Sequence, residues 1–222
     1  MKPLRVTITL ASPMMEPGHA FHLDALLAAL KVKQEGCLDT GADPRACHHD
    51  LPLERYQSPS GEWVFKASAF TFQKEIAPRT WLMSGGLNAT LAAEHRNSGV
   101  LKLGSNKPNP AGGHFKGSVF YKSLLWTELV ADCVGDAAGL QELLDLCDQV
   151  GAKRGTGFGR VKTITVDPVS LEECQWARRV MPADFDGPDV RGYARVMSAL
   201  QPPYWDRSLH QPALMPLELV GS

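Results

Sequence analysis

The chain has 222 residues, 44% of them hydrophobic and 21% charged, with 23 basic against 24 acidic side chains. That length buries a real core, in one large domain or one domain with sizeable insertions, and near-neutrality excludes a wholesale polycation while leaving room for local basic patches. Five cysteines (Cys37, Cys47, Cys133, Cys147 and Cys174) without regular spacing, and no leader-like segment ahead of them, fit a reduced, cytoplasmic protein. No apolar run reaches the roughly 18 residues of a membrane span.

In chain order, Leu4, Val6, Ile8 and Leu10 alternate with Arg5, Thr7 and Thr9, the period of a strand with one face on a core. After the break SPMMEPGHAF, Leu23, Leu26, Leu27 and Leu30 fall on one helical stripe, with the stop near Gly36. Residues 37 to 52 are turn-rich; strands are expected over Trp63 to Phe72 and, as a partner, Arg79 to Ser84. From about 85 to 118 the pattern dissolves into Gly, Asn, Ser and Pro. Its later part carries Arg96, Lys102, Lys107 and Lys116 without one acid, a long basic insertion.

From Val119, FYKSLLWTELVADCV reads as a strand or a bent strand pair. Asp136 caps a helix over AAGLQELLDLCDQV, with Gly151 in its C′ position. GAKRGTGFGRV follows, then a strand over VKTITV closed by Asp167 and Pro168. Beyond Ser170 a short helix over LEECQWARRVM and a Pro-rich tail are expected. The order predicts an α+β fold: a ferredoxin-like (RRM-like) βαββαβ core in residues 1–168, interrupted by the insertion, and a C-terminal extension, 169–222, packing on the core or on a neighbouring subunit.

The glycine loop is the most informative stretch. A dinucleotide fingerprint needs its glycines between a strand and the following helix, whereas these stand between a helix and a strand; a P-loop needs a Lys-Ser or Lys-Thr pair directly after its last glycine, and no glycine here is followed by one. Arg160 stands where the RRM motif continues with aromatics. What remains is backbone access at Gly155, Gly157 and Gly159, cations at Lys153, Arg154, Arg160 and Lys162, and one planar surface at Phe158. That set suits a phosphodiester chain lying across it.

A helix, a glycine, then KRGTGFGRV running into a last strand resembles the glycine-rich loop of the CRISPR-associated RAMP superfamily. VTITLASPM followed by FHLDALLAALKV resembles the opening of the RAMP subunit that caps the 5′ handle in type IV effector complexes. The likeness is carried by residues 1 to 35 and 119 to 168. It implies a non-catalytic subunit that grips the 5′ end of a guide RNA, between other RAMP backbone subunits and a large subunit, near the protospacer-adjacent motif of the target DNA. Lys153, Arg154, Gly155, Gly157, Phe158, Gly159 and Arg160, with Lys162, then meet RNA, and the insertion with Arg96, Lys102, Lys107, His114 and Lys116 becomes an arm toward RNA or DNA; His22 is a further candidate.

Some relatives cleave RNA without metal, using a base, a proton donor and a cation for the pentavalent phosphate. His19, His22, His114, Lys116 and Tyr121 are the residues available for that alternative, a metal-independent endoribonuclease acting on repeat RNA. The reading favoured here is not an enzyme, and no cofactor is expected. Cys37, Cys47, His48 and His49 match no common zinc spacing, so no metal is expected either. Trp63, Phe65, Phe70 and Phe72 read as core or subunit-interface residues rather than a stacking platform.

Overall fold

The computed structural model of the chain describes residues 1–15, 20–36, 43, 48, 50–73, 79–84, 94, 97, 119–125, 128–152, 155, 157–187 and 192–219. It divides into two compact units, one formed by Met1–Ile76 and Trp126–Ser222, the other by Ala77–Leu125.

In the larger unit the period-2 segment forms β1 (Lys2–Leu10), followed by the short β2 (Met14–Met15) and by α1 (Leu23–Gln34). Leu4, Val6, Ile8 and Leu10 are buried, as the alternation predicts, and Leu23, Leu27 and Leu30 of α1 enter the same apolar cluster. Each such side chain taken from water contributes roughly 1.5–3 kcal/mol. The helix stops where expected: Glu35 is the C-cap and Gly36, at φ 62°, follows in the left-handed region.

The run Trp63 to Phe72 does not form one strand. β3 (Arg55–Gln57) pairs with β4 (Trp63–Phe65), then single bridges at Ala67 and Ala69 carry the chain to β5 (Thr71–Gln73). Phe65 and Phe70 are buried, and Trp63 and Phe72 pack against the cluster, so the core reading of these aromatics stands. In the smaller unit β6 (Arg79–Ser84) pairs antiparallel with β7 (Val119–Leu125), not with the 63–72 segment. The FYKSLLWTELVADCV run therefore supplies two strands: β7 and, back in the larger unit, β8 (Glu128–Gly135).

Next come α2 (Ala137–Leu144), capped by Asp136 through its carboxylate and Gly139 N at 2.9 Å, and β9 (Val161–Pro168). The main sheet runs β5-β8-β1-β9, each neighbour antiparallel, while α1 and α2 pack on each other over the apolar cluster it shares with β1 and β8. This is a mixed α and β architecture with antiparallel sheets. The register sends Leu4, Val6 and Ile8 to the helices' side, and Thr7, Thr9, Val130, Thr163 and Thr165 to the other.

Residues after 169 contain no helix over LEECQWARRVM. The segment is a series of turns leading to β10 (Met181–Pro182), β11 (Tyr193–Ser198) and β12 (Gln211–Pro216), in the order β10-β12-β11. A second apolar cluster holds Val180, Met181, Phe185, Leu200, Ala213 and Leu214 together with Val64. The turns fold back onto the main sheet: Asp132 accepts from Arg5 Nε at 2.7 Å, Arg5 Nη2 at 3.0 Å and Gln175 N at 3.0 Å. Long-range pairing takes precedence over local helical periodicity here.

Burial pushes the Cys133 thiol up to about 12. A raised acid stays protonated in the native state, so its stabilising contribution is intact below the unfolded value near 9 and falls as pH rises toward 12. The free energy of urea unfolding of the wild type should drop between pH 9 and 10.5 more steeply than that of Cys133→Ala, the difference in slope approaching about 1.4 kcal/mol per pH unit. Parallel pH profiles of the two proteins would contradict that placement of the thiol.

Candidate nucleic-acid interface

The glycine loop is built differently from a helix end. α2 stops at Leu144, with Asp145 as its C-cap in the right-handed helical region, so Gly151 is not the C′ residue. It lies beyond the turn at φ 80°. The cause is a competing ladder: Val150 N donates to Gly159 O at 2.8 Å, Val161 N donates to Asp148 O at 2.9 Å, and Gln149 bridges Arg160. Residues 148–150 and 159–161 thus form the stem of a hairpin, and of the described residues 151, 152, 155, 157 and 158 lie in its loop. The loop leads into β9 rather than into an α-helix, which keeps the nucleotide-cradle geometry excluded.

The segment after β1 pins the stem from the other side. Ala11 N donates to Arg160 O at 2.7 Å and Gly159 N to Pro13 O at 2.9 Å, while Met15 bridges Ala152. Ser12 does most of the joining, for its hydroxyl donates to Gly157 O at 2.8 Å and accepts from Arg160 N at 2.9 Å. Sequence reasoning missed Ser12, whose only sign was its place in the break after an alternating strand.

The glycines divide by role. At Gly159, φ is 66° and a Cβ would lie 1.8 Å from Val150 O, so this residue holds the stem. Gly157, at φ 86°, and Gly155 are exposed, and a Cβ on either meets nothing within 4 Å. Two glycines therefore present bare backbone to open space on a base fixed by the third. Arg160 and Lys162 are exposed at the loop's exit, and Phe158 is half-buried.

Beside the exit an open cleft of about 380 Å³ lies between α2 and β9, lined among others by Gln141, Asp145, Asp148, Arg160 and Lys162. Two carboxylates and two cations thus face the same cleft, so it carries no net charge of either sign from these four side chains. Among the described residues, the register positions on the far face of the main sheet carry threonines, Val130 and the Arg5–Asp132 ion pair at 2.7 Å, with no aromatic of the kind that stacks a base.

The structure brings together Gly155, Gly157, Phe158, Gly159, Arg160 and Lys162. Lys153, Arg154, Arg96, Lys102, Lys107, His114 and Lys116 lie outside the described residues, as do His19, Cys37, Cys47 and His49. His22 stands apart from the loop: it is 3% exposed, occupies the N-cap of α1 and stacks on Tyr204 with ring centroids 4.5 Å apart. Among the described residues no three His, Cys, Asp or Glu side chains gather as metal ligands, and no helix is long and apolar enough to cross a membrane.

No curated protein matches the sequence. A family model described as CRISPR type IV associated protein Csf3 matches residues 2–216, nearly the whole chain. A match over so much of the sequence shows the family: the chain belongs to the Csf3 family of CRISPR type IV associated proteins.

Proposed function

We propose that this chain is a non-catalytic, RNA-binding subunit of a type IV effector complex, which grips the 5′ handle of the guide RNA and helps position target DNA near the protospacer-adjacent motif. Other RAMP backbone subunits and a large subunit are its expected neighbours. The sheet supports a ferredoxin-like βαββαβ reading: counting β1, β5, β8 and β9 as strands one to four, the spatial order is 2-3-1-4, all antiparallel, with α1 and α2 over one apolar cluster.

The observation that carries the function is the pair Gly155 and Gly157, bare backbone facing open space on a stem locked by Gly159 and Ser12, with Arg160 and Lys162 exposed at the exit. Sugar-phosphate approaches such a backbone closely, and the cations neutralise it at the price of strong salt dependence. Lys153 and Arg154 belong to the same loop by sequence.

The test is Lys153→Ala with Arg154→Ala, titrated against guide RNA carrying its native 5′ handle. Affinity near 0.15 M salt should fall about tenfold, and the log–log salt slope should become shallower by about 1.4, since each single-strand phosphate contact contributes about 0.7. Unchanged affinity in a folded double mutant sinks the loop assignment. The same preparation should return repeat RNA uncut in EDTA; cleavage lost on His114→Ala would favour the endoribonuclease alternative.

A further inference from the structure

The connection between β11 and β12 is braced from below. Tyr204 donates its hydroxyl proton to Asp24 at 2.8 Å and accepts from Arg179, and its carbonyl lies 3.2 Å from His210 Nε2. Gln201 Nε2 donates to Trp63 O at 2.8 Å, and Asp206 accepts from Ser208 N at 3.0 Å and Ser208 Oγ at 2.6 Å, closing the turn Arg207–Leu209. Directly after the anchored Tyr204 stands Trp205, 77% exposed. A large apolar ring is thus held out on a backbone with little freedom left to lose on binding.

It is not alone. Ser198 pairs with Gln211 at this end of the β11–β12 ladder, and one step in, Met197 is 63% exposed opposite Pro212; Leu209 is 42% exposed in the connection itself. Arg195, two residues before Met197 and so on the same side of β11, and Arg207 are exposed cations, while the carboxylate of Asp206 is engaged in its cap. Single exposed apolar residues need no explanation, but Trp205, Arg207 and Leu209 in one connection, with Met197 and Arg195 exposed on the strand that leads into it, have the composition of protein–protein contact centres. A nucleobase would use the indole ring and leave Met197 and Leu209 idle.

We propose that this hairpin end is a docking point for a protein subunit of the same effector assembly, one that offers an apolar pocket to Trp205 and carboxylates to Arg195 and Arg207. This surface is separate from the glycine loop, and its test reads the two apart. The remaining effector proteins and guide RNA, co-expressed without this chain and purified as a subassembly, are titrated with the wild type, Trp205→Ala, Trp205→Phe and the pair Arg195→Glu with Arg207→Glu.

Trp205→Ala should keep the wild-type thermal midpoint and the wild-type affinity for free guide RNA, and dock at least tenfold more weakly. Trp205→Phe should recover part of the loss, and the charge-reversed pair should dock at least tenfold more weakly at low salt with the defect shrinking at high salt. Should Trp205→Ala fail to fold, the charge-reversed pair decides. Docking unchanged in the folded variants overturns the proposal. So does a Trp205→Ala defect confined to free RNA, which would make the ring a base-stacking residue, or one confined to concentration-dependent self-association, which would make the occupant a second copy.

Discussion

Arg179→Ala lowers the free energy of unfolding by roughly 3–5 kcal/mol, among the largest single effects expected anywhere in the chain. Both Arg179 and Asp24 have fully buried side chains, 2.9 Å apart. The guanidinium is satisfied on every side: Nη1 also donates to Phe65 O at 2.7 Å and Ala67 O at 3.1 Å, Nη2 to Leu200 O at 2.8 Å and to Tyr204, and Nε to Val180 O at 3.1 Å. Burial acts to lower its pKa, but Asp24 and Tyr204 outweigh that and hold it raised. Burial likewise pushes the Tyr204 phenol well up, so it keeps the proton it donates to Asp24.

Truncation at Arg179 leaves the Asp24 charge and four carbonyls without their donor, and an uncompensated buried charge costs more than the pair ever contributes. Urea unfolding of Arg179→Ala, Asp24→Asn and the double variant checks this: the double should be less destabilised than the sum of the singles, by 0.5–3 kcal/mol in order of magnitude. Additive losses would mean the two groups are not coupled. The network joins α1 to the segment before β10 and to the β11–β12 connection, so its failure should also release the docking end that carries Trp205.

Nothing in the sequence around Arg179 announces this. LEECQWARRVM has the apolar spacing of a short helix, and the partner Asp24 is 155 positions away. Local pattern is informative where the structure is decided locally: the alternation of β1, the leucine stripe of α1 with Gly36 behind it, and Asp136 as a cap all stand in the structure. It misleads where two solutions bury the same residues. Leu140, Leu143, Leu144 and Cys147 are buried although the helix ends at Leu144, so periodicity could not locate that end. The ladder of 148–150 with 159–161 did, and it depends on hydrogen bonds to Pro13 and Ser12 that no local window contains. That the glycines give backbone access is legible in the sequence; which glycine is structural is not, because that follows from the position of Val150 O.

Gly159→Ala, Gly157→Ala and Gly155→Ala should therefore separate stability from binding. Gly159→Ala places a Cβ on Val150 O and strains a φ of 66°, so it must open the stem bonds of Val150 N to Gly159 O and Gly159 N to Pro13 O. Left-handed strain of about 1–2 kcal/mol and two lost hydrogen bonds of about 1 kcal/mol each bring the cost to roughly 3–4 kcal/mol. Gly157→Ala keeps its bonds and bears only the strain of φ 86°, roughly 1–2 kcal/mol, while Gly155→Ala meets no atom and should leave stability within about 0.5 kcal/mol. If RNA crosses the open crest, the order reverses in binding for bulkier side chains: Gly155→Val should lose guide-RNA affinity about tenfold or more with an unchanged thermal midpoint, because the space that a side chain fills is the space the phosphodiester occupies. Full RNA affinity in Gly155→Val and Gly157→Val, both folded, would move the RNA off the crest even if the stem behaves as described.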